Sequence, residues 1–320
     1  MNSRKILKRF LSDTKLSVSP IPDNKKYWER VFSIFPEFEG RYKNFLLEIA
    51  GNPEQTLNDW DAVRGKIIED IKANPKYQSF IQSSMSEWKL KDMPEGGIPS
   101  KSIFELEAET LGGCYLSIDL KSANFQAIKE VGVYSDYDWE SLISRYTSSE
   151  HLKKSKYFRS VVYGNLNVGR TQTVEKYLTN EIRRLLNDEL ILPENYKLLT
   201  MMPDELVYEI QYNDLDLDMT CRELEEFILE RTGIMVKAEQ FQLQHYYLQS
   251  KGNPGRKIKF FGKTNLEDKS EELCGLGVPY YLIGTVLWKG IDPIDEDLMF
   301  LNQEGYVCKL LDEFEIKRGI

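Results

Sequence analysis

The chain has 320 residues, 41% of them hydrophobic, which allows one large domain or two modest ones with an ample buried core. Its net charge of −9 counts against a simple nucleic-acid binder. With just two histidines, His151 and His245, histidine-rich metal sites and Ser-His-Asp or Cys-His chemistry are disfavoured, so carboxylates plus metal become the leading route to catalysis. Cys114, Cys221, Cys274 and Cys308 are scattered, with no C-x-x-C pair, which points away from zinc and disulfides and toward a reducing, cytoplasmic compartment. No run approaches the roughly 18 apolar residues of a membrane span.

The basic N-terminus, residues 1–10, lacks an apolar signal core and predicts a short surface helix. Apolar residues at three-to-four spacing predict helices over 27–49 and 57–81, broken by Pro36 and by Gly51-Asn52-Pro53, with Asn74-Pro75 ending or kinking the second. Trp60, Val63, Ile67, Ile68 and Ile71 share one face. The Pro/Gly loop 93–99 is the clearest break in the chain and, by composition, a subdomain boundary. Paired strands are predicted over 102–107 and 113–120, with a turn near Leu111-Gly112-Gly113. Helices follow over 123–130 and 139–146, then a strongly helical stretch, 149–190, interrupted at Tyr163-Gly164-Asn165.

Residues 197–202 and 205–212 predict a hairpin across Pro203-Asp204, and Thr220-Cys221-Arg222-Glu223 fits a capping box that opens a helix to about residue 231. The segment 236–248 is strand-like, with Phe241, Leu243, His245 and Tyr247 on one face; 298–310 reads as a hairpin. Helices leading into a mostly antiparallel sheet make the fold α+β. Asp214, Asp216 and Asp218 with Glu225 imitate an EF-hand calcium loop, but Met219 occupies the place of the required glycine.

Asp119 ends the apolar run Tyr115-Leu116-Ser117-Ile118, where a charge needs a metal or hydrogen-bond partners, or else caps the helix that follows. Asp204 and Glu205 are a polar hairpin tip on the plainer reading. Brought beside Asp119, they complete the minimal site for a pair of divalent cations and for in-line phosphoryl or nucleotidyl transfer. Between them, 151–185 carries Lys153, Lys154, Lys156, Arg159, Arg170, Lys176, Arg183 and Arg184 against Glu175 and Glu181. On a helix, Lys156, Arg159 and Tyr163 fall on one face, so a basic pair can meet phosphates while the tyrosine packs near a sugar or base. A second basic stretch holds Lys251, Arg256, Lys257, Lys259 and Lys263 around Phe260 and Phe261, which suits a phosphate backbone with stacked bases, or a solvated charged face.

The run Ile118-Asp119-Leu120-Lys121-Ser122-Ala123-Asn124-Phe125-Gln126 resembles motif A of family A nucleic-acid polymerases, the polymerase-I-type DNA polymerases and single-subunit RNA polymerases. Met202-Pro203-Asp204-Glu205-Leu206-Val207-Tyr208-Glu209 is similar to their motif C, with Pro203 in place of the usual histidine. Arg159 to Gly164, with Gly169 and Arg170, resembles the end of motif B. His151, Ser155 and Arg159 stand where that motif places Arg, Lys and an aromatic or Met, leaving a triphosphate lysine to Lys153, Lys154 or Lys156. Reverse transcriptases share the Asp119-Leu120-Lys121-Ser122-Ala123 pattern, but no Tyr-x-Asp-Asp follows.

The resemblance spans residues 113 to 212 and implies a palm-like sheet with flanking helices. By it, 1–95 is a helical N-terminal region, 96–235 a palm-like catalytic core with a reduced fingers segment at about 139–190, and 236–320 a β-rich region packed on the core. Asp119 and Asp204 are expected to bind Mg²⁺ or Mn²⁺, with Glu205 as an auxiliary acid. Lys156, Arg159, Tyr163, Arg170, Asn124 and Gln126 are expected at the nucleotide, and Lys153, Lys154, Arg256, Lys257, Lys259 and Lys263 along nucleic acid. The expected activity is two-metal nucleotidyl transfer to a nucleic-acid 3′ end, in viral or phage replication or transcription, with nucleic acid, nucleoside triphosphates and replication or transcription proteins as partners and no membrane. The alternatives are a non-catalytic nucleic-acid-binding subunit on the same scaffold and a reverse-transcriptase-like palm.

Overall fold

The computed structural model describes residues 3–14, 16, 24–105, 113–211, 219–277, 279–301 and 306–319. Five helices come first: α1 (Ser3–Thr14), α2 (Lys25–Ile34), α3 (Pro36–Ile49), α4 (Pro53–Ala73) and α5 (Pro75–Gln82). The breaks legible in the sequence are where these helices start. Pro36, Pro53 and Pro75 each lie in a first turn, where a missing N–H costs nothing. Asn24, Asn52 and Asn74 cap α2, α4 and α5 by accepting a backbone N–H. The expectation of a surface helix at the N-terminus is corrected: α1 buries Leu7, Phe10 and Asp13, because its apolar stripe packs into the helical core.

The rest of the chain alternates helices and strands. In order they are β1 (Cys114–Leu120), α6 (Ala123–Glu130), α7 (Trp139–Ser144), α8 (Glu150–Lys154), α9 (Lys156–Gly164), α10 (Val168–Asp188), β2 (Tyr196–Met201) and β3 (Glu205–Ile210). Then come α11 (Cys221–Thr232), β4 (Val236–Ser250), β5 (Lys257–Asn265), β6 (Glu271–Cys274), α12 (Tyr280–Trp288), β7 (Met299–Leu301), β8 (Val307–Lys309) and β9 (Phe314–Arg318). The main sheet is antiparallel throughout, in the order β2-β3-β1-β4-β5-β6, with β9 on the far half of β4. The fold is therefore α+β, as expected. The Thr220 capping box forms, and β7 pairs β8 as the C-terminal hairpin. The strand predicted over 102–107 does not form where it is described: Ile103–Glu105 is a 3₁₀ turn that sets Ile103 and Phe104 on the sheet. The EF-hand-like aspartates, Tyr212 and the Leu111-Gly112 turn lie outside the described residues.

Alternation along the strands separates the two faces of the sheet. Leu116, Ile118, Leu120, Leu206, Tyr208 and Val236 point to one face and are covered by Leu178, Ile182 and Leu186 of α10 and Leu224 and Ile228 of α11. Tyr115, Ser117 and Asp119 point to the other, where Ile103 and Phe104 pack with Tyr115, Val207, Phe241 and Phe261. Helices α1 and α3–α5 share a second core with α6–α9, centred on Phe45, Trp60, Phe125, Trp139 and Phe158. No helix among the described residues is long and apolar enough to cross a membrane.

Helix α2 packs Tyr27, Val31 and Ile34 against Leu282 and Val286 of α12, and a buried ion pair adds to that tie. Arg30 Nη2 donates to Asp297 Oδ2 at 2.6 Å and Nε to Oδ1 at 3.0 Å, with the Asp297 side chain fully buried. Removing the arginine strands a carboxylate away from water. Arg30→Ala is expected to lose about 3 kcal/mol in urea unfolding with an unchanged denaturant slope, and Arg30→Lys to lose less; an Arg30→Ala loss below about 1 kcal/mol contradicts this.

Candidate active site

The site is built by backbone register. Asp119, next to last in β1, is paired with Glu205 at the start of β3 and with Lys237 near the start of β4. The Leu120 amide donates to the Asp204 carbonyl at 2.8 Å, which fixes the β2–β3 turn against the end of β1. Directly paired residues share a face and lie about 5 Å apart at Cβ. Asp119 and Glu205 therefore emerge together on the face opposite the helices, with Asp204 at the adjoining turn. The charge this concentrates is felt: burial, then the charges of Asp204 and Glu205, push the Asp119 carboxyl up to about 6, against the pull of Lys156 and Lys237. Glu205 is also raised by burial, opposed by a hydrogen bond from Ser117 Oγ at 2.6 Å.

A fourth carboxylate, which the sequence reading missed, belongs to the same group. Glu175 of α10 is buried and accepts a hydrogen bond from the Asn124 amide. Burial raises its pKa, the Asn124 bond opposes this, and the charge of Asp204 adds to the rise. The sequence did carry a signal for it: Glu175 falls on the stripe Thr171, Val174, Leu178, Ile182 that α10 buries, where a lone acid needs a partner. Ser122, between β1 and α6, holds a left-handed conformation with φ of 57°, a strained geometry for a serine. Lys237, Glu239, Lys263, Asn265 and Glu272, with Arg222 and Glu225 of α11, line a polar cleft of about 540 Å³ beside the start of β4.

The other expected site residues divide. Lys156 opens α9, is exposed, and directs positive charge at Asp119. Arg159, one turn on, is half-buried over the Trp139 ring at 6.0 Å, with its pKa lowered by burial and no carboxylate partner among the described residues. Asn124 reaches the acids through Glu175. Lys153 pairs with Glu150 at 2.8 Å and Lys154 is exposed at the end of α8.

Three expectations at the nucleotide are corrected. Tyr163 is buried against Phe125 and Trp139, because it lies with Phe158 and Val162 on the side of α9 that faces the helical core. Arg170 is spent on the end of α5, where Nη2 donates to the carbonyls of Phe80 at 2.6 Å and Ser83 at 2.5 Å. Gln126 is a buried clamp: Nε2 donates to the Lys121 and Met235 carbonyls at 2.6 and 2.7 Å, and Oε1 accepts the Met235 amide at 2.7 Å. In the second basic stretch, Arg256 is taken by Asp312 at 2.6 Å and the Tyr280 hydroxyl at 2.8 Å. Lys263 is held between Glu239 at 2.8 Å and Glu272 at 3.0 Å. Both are neutralised within the fold, whereas Lys257 and Lys259 stay exposed.

Among the described residues no three His, Cys, Asp or Glu side chains form a ready-made metal cage. The chain matches no protein-family model, no curated protein and no solved structure.

Because its folded pKa is raised, Asp119 favours the folded state below about pH 4, and that contribution is lost as pH rises through about 6. At pH 8 the ionised carboxylate opposes folding. Asp119→Asn is expected to stabilise the metal-free protein at pH 8 by about 1–2 kcal/mol after allowance for solvent screening, with the gain shrinking toward pH 4. Thermal melts across this range measure it, and a pH-independent difference contradicts it.

Proposed function

We propose that the chain transfers nucleotidyl groups from nucleoside triphosphates to a nucleic-acid 3′ end, with divalent cations held at Asp119 and Asp204. The observation that carries the reading is the convergence of Asp119, Asp204 and Glu205 at one end of the sheet face opposite α10 and α11, where the charge of Lys156 acts on Asp119. The order of the three polymerase-like motifs supports the same reading.

The donor set fits the implied metal. Carboxylate oxygens are the hard ligands that Mg²⁺ and Mn²⁺ prefer, and Mg²⁺ characteristically binds through one or two carboxylates plus substrate phosphates rather than a closed protein cage. When bound, such a pair of cations activates the attacking hydroxyl and neutralises charge on the triphosphate and departing pyrophosphate. The chain's own residues do the rest. Ser117 holds Glu205 in place, so that Glu205 tunes the field at Asp119. Lys156 supplies positive charge where a triphosphate approaches the acids. Arg159, half-buried and free of carboxylate partners among the described residues, gains a counter-ion when phosphate arrives. Asn124 fixes the Glu175 carboxylate behind Asp204.

One observation favours a second reading, a nucleic-acid-binding subunit without turnover: Tyr163 and Arg170, expected at the nucleotide, both serve the core. The test is extension of a labelled primer, with and without template, by purified protein with Mg²⁺ or Mn²⁺ and ribo- or deoxyribonucleoside triphosphates. Parent protein is expected to extend the primer, Asp119→Asn and Asp204→Asn to lose on the order of 10³-fold in rate, and Lys156→Ala to weaken triphosphate use about 10- to 100-fold. No extension by the parent, or full activity in the aspartate variants, overturns the proposal. Binding without turnover leaves the second reading.

A further inference from the structure

Far from the acids, the same sheet face carries an arrangement that the proposed reaction does not use. Tyr247 of β4 is half-buried and lies directly opposite Lys259 on β5 and Lys317 on β9. Paired positions share a face, so both lysines flank the tyrosine on the side that also carries Asp119. Lys257, one alternation along β5, lays its ammonium over the Tyr247 ring at 5.7 Å, and Lys259 stands over the Phe261 ring at 5.1 Å. His245 packs edge-on against Tyr247 with centroids 4.4 Å apart, and against Phe261 at 5.8 Å, fixing the rings from beneath.

The charge balance is what needs a partner. Lys257, Lys259 and Lys317 are exposed, and the carboxylate that pairs with Lys317 is Glu315 at 3.0 Å. Lys257 and Lys259 have no carboxylate partner among the described residues. This contrasts with Lys251, Arg256 and Lys263 of the same basic stretch, each of which is neutralised. In a chain of net charge −9, the unpaired Lys257 and Lys259 beside the half-buried Tyr247 ring repel one another unless a polyanion covers them. Their spacing also matters: strands about 4.8 Å apart put Lys259 and Lys317 roughly 10 Å from each other with the ring between them.

We propose that this strip, Tyr247 with Lys257, Lys259 and Lys317, binds single-stranded nucleic acid, one base stacking on Tyr247 while the lysines hold the phosphates on either side. Exposed aromatic rings set among cations recognise unpaired bases, whose faces a duplex hides. The strip lies roughly 30 Å along β4 from Lys237, at about 3.3 Å per residue, so it is a separate site. It does not depend on Asp119 being catalytic.

The test uses fluorescence anisotropy of a labelled oligothymidylate on the full chain in EDTA, in the Asp119→Asn background, so that metal-dependent chemistry plays no part. Tyr247→Ala is expected to weaken binding about 5- to 100-fold, while Tyr247→Phe, which keeps the ring, restores it. The double variant Lys257→Gln/Lys259→Gln is expected to weaken binding and to flatten the salt dependence by about 0.7 in log–log slope for each phosphate no longer neutralised. Circular dichroism melts of each variant confirm folding. Equal affinity for duplex of the same length, equal displacement by the base-free polyanion heparin, or parent-like binding by folded Tyr247→Ala overturns the proposal.

Discussion

The ladder between β1 and β3 forces together charges that electrostatics alone would keep apart. Asp119 faces Glu205 because the two strands run antiparallel in that register, and a one-residue slip of β3 would turn Glu205 toward the helices. That register is secured by the apolar face beneath, where Leu116, Ile118, Leu206 and Tyr208 are buried under α10 and α11. The free energy of that burial holds the acids together, and the burial of Asp119 itself, followed by the charges of Asp204 and Glu205, puts its carboxyl well above its ordinary value. The strain is local, and the structure tolerates it.

Around this pair the fold divides its labour. One face of the sheet is given over to stability, its strands filled with branched and aromatic residues against α10, α11 and α12. The other carries most of the site chemistry: the carboxylates at one end, an apolar middle capped by Ile103 and Phe104, and exposed lysines about Tyr247 at the far end. Helices α6–α9 share a core with the N-terminal helices, so Lys156, whose charge acts on Asp119, is held by packing that reaches back to Phe10 and Phe45. The N-terminal region is in this way a support for the site.

Much of the backbone was legible because local chemistry wrote it. Prolines at first turns, asparagine caps and the Thr220 capping box each mark a helix start for a reason that needs no tertiary context. The hairpin at Pro203-Asp204 was legible for the same reason. The direction of each helix face was harder to read. Lys156, Arg159 and Tyr163 are spaced for one stripe, but Lys156 is exposed, Arg159 half-buried and Tyr163 in the core; periodicity gives the stripe and says nothing of how deep each position lies. Arg170 and Gln126 were misassigned because a polar side chain looks the same in sequence whether it meets a ligand or a distant carbonyl. Glu175 was missed because a single acid in a long helix is ordinary until its neighbours are seen to be buried.

The central claim is that Asp119 and Asp204 hold divalent cations together. Crystals of the protein grown with manganese and a nucleoside triphosphate, measured for anomalous scattering, test it most directly. The account requires manganese within about 2–2.5 Å of carboxylate oxygens of both residues, with a second peak about 3.5–4 Å from the first. Manganese bound elsewhere on the molecule, with Asp119 and Asp204 unliganded at saturating concentration, contradicts it.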